Sequence, residues 1–173
     1  MKISSPVIAI FAVLVCLNLQ AKVVHVAQHG FIIENTISTQ QAPEKIWLAL
    51  INDVDSWWPK DHSWWGDKGT FSIQAKAGGC FCELAADKSA EHMRISFVEP
   101  PKLLRMTGGL GPLQGMGVFG SLDWLLTTED DTTVVTLTYS VTGINSNGFE
   151  QLAPIVARVQ GIQLNALKQF VEQ

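Results

Sequence analysis

The sequence is short of charge. Asp, Glu, Lys and Arg make up only 16% of its 173 residues, the 12 basic residues form no cluster, and the formal net charge is −4. Proteins that bind nucleic acid or an anionic membrane surface neutralise phosphates with grouped Lys and Arg, so both partners are excluded. Cysteine is scarcer still, with three in the chain: Cys16 near the N-terminus, then Cys80 and Cys82. That is too few for a disulfide scaffold. Cys80 and Cys82 stand two apart in an expected strand, with Cα atoms roughly 6.5–7 Å apart. This is the long limit for a disulfide, so a bond between them is expected to be strained. A hydrophobic run of membrane-spanning length is also missing: the apolar stretch from Val7 to Leu17 is followed by Asn18 and Gln20, short of the roughly 20 residues a bilayer core requires.

What the N-terminus does carry is the pattern of an export leader. Lys2 precedes the apolar centre, and the small residue Ala21 stands at a cleavage position. Val15 is too bulky for lipoprotein processing at Cys16, so cleavage is expected after Ala21. The reading is a signal peptide over 1–21 and an exported protein, periplasmic or secreted, with no stable membrane insertion after cleavage. Residues 22–173 read as one domain, since the chain is 47% hydrophobic and shows one continuous pattern of short elements.

Within that domain, Phe31 to Ser38 alternates as a strand with Ile33, Asn35 and Ile37 on one side. Pro43 then opens a helix to Ile51, with Ile46, Trp47 and Leu50 as its buried stripe. Asp53 to Lys68 is irregular and holds Trp57, Trp58, Trp64 and Trp65. Strands follow over 70–75, 80–84, 91–98, 103–107, 122–128 and 133–142, separated by turn chemistry at 87–89, 100–101 and 129–131. Phe149 to Phe170 reads as one long amphipathic helix. Phe149, Leu152, Val156, Val159, Leu167 and Phe170 form its apolar stripe, Pro154 fits its first turn, and Gly161 permits close approach or a mild bend.

These elements carry a resemblance. Ala42–Trp47 opening the first helix, Asp55–Pro59 after it, Gly78–Glu83 in the third strand, Val98–Leu104 at a hairpin and the terminal helix are similar to the START and Bet v 1 type of helix-grip domain. Within it, they resemble most the bacterial polyketide cyclase/dehydrase and lipid-transport family (SRPBCC). The resemblance covers nearly the whole of 22–173. It implies an α+β helix-grip fold, in which a curved antiparallel sheet wraps a long C-terminal helix, with a small N-terminal helix pair and an internal cavity. It implies a hydrophobic or amphipathic small molecule as partner, without a cofactor. It carries no family active-site residue over, because the superfamily shares a cavity rather than a catalytic set.

Three functions are therefore weighed. The first is an exported binding protein for a lipid- or polyketide-like molecule, without chemistry. Its candidate ligand contacts are Trp57, Trp58, His62, Trp64, Trp65, Phe81, Glu83, Met116 and Phe119. The tryptophans would act as a lid, about half of them serving structure. The second is a cyclase or dehydratase. A carboxylate in an apolar cavity has a raised pKa, and Glu83 with His62 or His92 could shuttle protons; a structural Glu83 paired with Arg94 or Lys102 explains the same residues. The third is a protein-interaction module, since related domains activate a chaperone ATPase. A metal site from His62, Cys80, Cys82 and His92 is a further candidate. Alternation opposes it, because Phe81 and Glu83 lie on the other face of the strand from the cysteines. Gly115–Gly120 matches the dinucleotide fingerprint formally, but Leu122, Trp124 and Leu126 alternate as a strand where a helix is needed. The stretch 108–120 is expected to be a loop at the cavity mouth.

Overall fold

A computed structural model describes residues 20–173 of the chain. The expected leader lies outside the described residues, except that Gln20 and Ala21 open the first strand. Eight antiparallel strands form one sheet: β1 (Gln20–Ala27), β2 (Gly30–Thr39), β3 (Thr70–Ile73), β4 (Cys80–Ala85), β5 (Lys88–Glu99), β6 (Leu103–Gly108), β7 (Phe119–Glu129) and β8 (Thr132–Thr142). Their order across the sheet is β1-β2-β8-β7-β6-β5-β4-β3. Helix α1 (Pro43–Asn52) and the single turn α2 (Val54–Trp57) follow β2, a one-turn helix α3 (Pro112–Gly115) precedes β7, and α4 (Leu152–Val171) ends the fold. Helix α4 lies across β1 and β2, while α1 packs against α4, β3 and β7.

Period-two alternation makes the sheet's inner face. Phe31, Ile33, Asn35 and Ile37 of β2 point inward with Val135, Leu137, Tyr139 and Val141 of β8 and with Leu122, Trp124 and Leu126 of β7. Helix α1 begins at Pro43, whose missing N–H is harmless in a first turn, and it buries Ile46, Trp47, Ala49 and Leu50. The ammonium group of Lys45 donates to the carbonyl of Val171 at 2.6 Å, tying α1 to the last turn of α4. That bond satisfies a carbonyl the helix itself leaves open.

Three expectations are corrected. The β1 strand was not foreseen, because a bulge at Val24 breaks its alternation. The β4–β5 turn falls at Ala86–Asp87, with Ala86 in the left-handed region, not at 87–89. In α4 the buried face is Ala153, Ala157, Gly161, Leu164, Leu167 and Val171, whereas Leu152, Val156, Val159 and Phe170 of the expected stripe are half-buried beside it. Small side chains let the helix come close to the sheet, and the larger aliphatics are left to flank that contact.

Asn35 of β2 is fully buried, and neither atom of its amide has a hydrogen-bond partner among the described residues. Unpaired buried amide atoms cost about 1–3 kcal/mol. The variant Asn35→Val should therefore keep or raise the urea midpoint of unfolding; a loss of more than about 1 kcal/mol would contradict this account.

Candidate functional site

The loop between α2 and β3 is held by one carboxylate. Glu83 of β4 points inward with 0% exposure, between Phe81 and Ala85 on the same face. Its Oε1 accepts hydrogen bonds from the Ser63 hydroxyl at 2.5 Å and the Trp65 amide at 3.3 Å. Its Oε2 accepts from the Trp64 amide at 3.2 Å and stands 3.0 Å from His92 Nε2. Gly69 packs directly against this group, and a Cβ there would collide with the carboxylate. Burial raises the Glu83 pKa, but the hydrogen bonds from Ser63, Trp64 and His92 outweigh it and hold the group below its ordinary value. The expectation of a raised pKa is thereby corrected: the carboxylate is not alone in an apolar space but saturated with donors. Its expected alternative partners pair elsewhere, Arg94 with Glu91 at 2.6 Å and Lys102 with Glu99 at 3.4 Å.

His92 owes its position to a bulge. The register runs from Phe81↔Met93 to Cys82↔Glu91, so His92 is an extra residue on β5 and is buried along with Met93. Its ring lies 5.1 Å from that of Phe81 and 5.5 Å from that of Phe71. Burial lowers its pKa more than Glu83 raises it, so the imidazole is neutral near pH 7. With Glu83 ionised, Nε2 carries the proton and donates it, leaving Nδ1 as the basic nitrogen.

Above this pair lies a cavity of about 360 Å³. Helix α4 supplies one wall with Leu152, Ile155, Val156, Val159, Gln160 and Gln163. The tryptophan loop supplies a second with Trp58, Asp61, His62, Ser63 and Trp64. The glycine-rich stretch gives a third with Leu110, Gly111, Pro112, Leu113 and Met116, and His92 reaches it from the sheet. Tyr139 fixes the third wall: its hydroxyl donates to the Gly108 carbonyl at 2.8 Å and accepts from the Leu110 amide at 3.0 Å. Burial pushes that phenol up to about 12. Gly120 is obligatory beside it, because a Cβ there would lie 2.6 Å from the Tyr139 ring. A second cleft, of about 460 Å³, is lined by Ser38, Thr39, Gln40, Gln41, Thr132 and Glu172 and has no aliphatic side chain in its wall.

Of the expected contacts, Trp58, His62, Trp64 and Met116 line the cavity, with Trp64 at the rim and 49% exposed. The others do not line it. Trp57 is core, donating to the Ala49 carbonyl at 2.9 Å and meeting Trp124 edge-on. Trp65 contributes its amide rather than its ring. Phe81 packs among Trp58, Phe71 and His92 below the wall. Glu83 sits behind His92. Phe119 is 60% exposed, since the inward position at the start of β7 belongs to Gly120. Sequence reasoning missed Gln160 and Gln163, which the stripe pattern assigned to no role. Their periodicity relative to Val156 and Val159 was the available signal.

The metal candidates do not converge. Cys80 and Cys82 are bonded to each other with Cα atoms 5.5 Å apart, closer than a fully extended strand gives, beside the register shift between β4 and β5. The expected long-limit geometry is thus replaced by an ordinary separation. They lie on the outer face, opposite His92, and their sulfurs are no longer thiolates. Among the described residues no three His, Cys, Asp or Glu side chains are grouped to hold a metal.

Glu83 and His92 also set the acid limb of stability. Each has a folded-state pKa below its unfolded value. On acidification the unfolded chain protonates the His92 imidazole first, so stability should fall below about pH 6.5. The Glu83 contribution is complete above about 4.5 and is lost as pH falls through its folded value. Glu83→Gln places an NH2 among donors and should cost about 2–4 kcal/mol at pH 7, with a smaller difference from the parent at low pH. Urea unfolding across pH measures both; an unchanged midpoint at pH 7 would reject Glu83 as the group that holds the loop.

No family model matches the chain, and no curated protein matches its sequence. Among solved structures, CalU16 from Micromonospora echinospora is 18% identical, with 82% of this chain and 76% of that one covered and a TM-score of 0.54. The Aha1 dimer from Colwellia psychrerythraea is 20% identical over 82% of this chain and 96% of that one, with a TM-score of 0.56. Ara h 8.0201 is 14% identical over 81% and 96%, with a TM-score of 0.55. In this chain an eight-stranded antiparallel sheet, a small pair of helices after β2 and one long C-terminal helix accompany these likenesses, and together they show the fold: the chain has the Bet v 1-like helix-grip fold.

Proposed function

We propose that the chain is an exported binding protein that holds an apolar or amphipathic small molecule between α4, the tryptophan loop and the glycine-rich loop. The observation that carries this reading is the cavity itself: three walls supply Leu, Ile, Val, Met and Trp side chains around a space of about 360 Å³, within the usual range of roughly 300–1,000 Å³ for small-molecule sites. Trp64, Met116 and Ile155 line the cavity and are also exposed, which gives an apolar ligand a greasy rim to cross. Export is supported by the leader pattern of 1–21 and by the Cys80–Cys82 disulfide, a bond that persists in oxidising compartments. Among the described residues, no helix is long and apolar enough to cross a membrane.

A second reading draws on the Glu83–His92 pair. An imidazole oriented by a carboxylate, with its other nitrogen free beside a cavity, is an arrangement that can act as general base in a cyclase or dehydratase. In that reading His92 touches substrate and Glu83 positions it, so the proton carrier is not Glu83. Its test is His92→Gln, which should abolish turnover of a poly-ketone substrate while leaving its binding within about threefold.

Native mass spectrometry of protein recovered from the exported fraction tests the main reading. A retained apolar mass is expected, on a chain that lacks 1–21 and shows the mass deficit of a disulfide. Val159→Trp fills the cavity from α4. It should weaken binding of a neutral naphthylamine dye by about tenfold or more without lowering the melting temperature; dye affinity unchanged in this variant would place the ligand elsewhere.

A further inference from the structure

The cavity wall contains a polar group that no role above uses. Gln160 of α4 is 1% exposed and lines the cavity, yet neither its amide nitrogen nor its amide oxygen has a hydrogen-bond partner among the described residues. Buried side-chain amides are ordinarily satisfied, because leaving water without a replacement partner is unfavourable. Gln163, one turn further on, is engaged by His62 Nδ1 at 3.4 Å, so the two glutamines are not equivalent. Turning the Gln160 amide toward a ligand breaks no existing bond, and it presents a donor and an acceptor side by side.

The charge around it narrows the ligand further. The wall has no Lys or Arg, and its single carboxylate, Asp61, is at the exposed rim. The other titratable side chains of the wall are His62 and His92, and each is engaged, His62 Nδ1 with Gln163 and His92 Nε2 with Glu83. A ligand carboxylate or phosphate at this depth would meet no Lys or Arg, and its desolvation would go largely uncompensated. A ligand ammonium group would likewise find only neutral amides.

We infer that Gln160 is the head-group subsite of the cavity and selects uncharged ligands that carry an adjacent hydrogen-bond donor and acceptor, such as a carboxamide or a hydroxyl beside a carbonyl, on an apolar body. The inference rests on the binding reading above. It gives the polar end of the ligand a fixed depth, against α4 rather than at the tryptophan rim. The apolar remainder then lies toward Val156, Val159, Leu113 and Trp58.

Three ligands of equal chain length separate the possibilities: decanoate, its methyl ester and its primary amide, each displacing the neutral naphthylamine dye at neutral pH. In the parent protein the amide should bind about tenfold more tightly than the ester, and the acid most weakly. Gln160→Met keeps length and removes both polar atoms. It should bring the amide to within about twofold of the ester, each affinity being referred to the variant's own measured dye affinity, and the melting temperature should hold or rise. Equal binding of amide and ester by the parent, or an amide preference that survives Gln160→Met, overturns the inference and leaves the apolar cavity standing. Failure of the dye and of all three ligands to bind the parent overturns the cavity reading itself. Should Gln160→Met not fold, Gln160→Leu is read in the same way, and loss of folding in both shows Gln160 to be a structural residue, which also overturns the assignment.

Discussion

The carboxylate of Glu83 holds together parts of the chain that no periodic pattern would join. It sits on β4 with both oxygens engaged, and its donors come from the tryptophan loop on one side and from a bulge of β5 on the other. A buried anion is tolerated only when hydrogen bonds replace its lost water, and here they are numerous enough to keep it ionised. Three consequences follow from that single group. The loop over 63–65 is fixed in place, which sets Trp58 and Trp64 against the cavity. The His92 tautomer is defined, with Nε2 bound to Glu83 and Nδ1 without a partner among the described residues. Gly69 must lack a side chain, because the carboxylate occupies that space.

Helix α4 has two apolar faces that do different work. Ala153, Ala157 and Gly161 bring the helix axis close to β1 and β2, and the fold is locked there by close packing. Leu152, Val156 and Val159, to the side of that contact, line a hollow. A helix with large residues on the sheet-facing side would stand further off. The cavity thus depends on small residues being where they are as much as on the large ones. Tyr139 completes the enclosure by binding Gly108 and Leu110, so that the glycine-rich stretch closes over the space instead of swinging free.

Much of this was legible in the residues. Alternation in 31–38, 103–107, 122–128 and 133–142 marked strands within a residue or three of their observed ends, and Pro43 and the spacing of Ile46, Trp47 and Leu50 marked α1. The rejection of the dinucleotide fingerprint followed from the same alternation, and β7 does run from Phe119 to Glu129. Cavity residues were legible only by type. Aromatic rings in an irregular segment signal either core or lid, and Trp57 and Trp58, adjacent in the chain, divide between the two. Gln160 and Gln163 follow Val156 and Val159 at helical spacing, but a glutamine beside an apolar stripe looks like a solvated one.

Periods of two and 3.6 are local properties that each segment carries without its neighbours, so the class of the fold could be read before any contact was known. Alternation also separated Phe81 and Glu83 from Cys80 and Cys82 onto opposite faces of β4, whereas which pair faces inward was settled by the folded sheet. That Cys80 and Cys82 are joined emerged only in the folded chain, where their Cα atoms stand 5.5 Å apart rather than at the spacing of an ideal strand. The tertiary structure alone decided that Glu83 meets Ser63, Trp64, Trp65 and His92, and that α4 turns its alanines rather than its valines to the sheet. These are contacts between residues far apart in the chain. Their partners are chosen by the packing of whole elements, which no local pattern records.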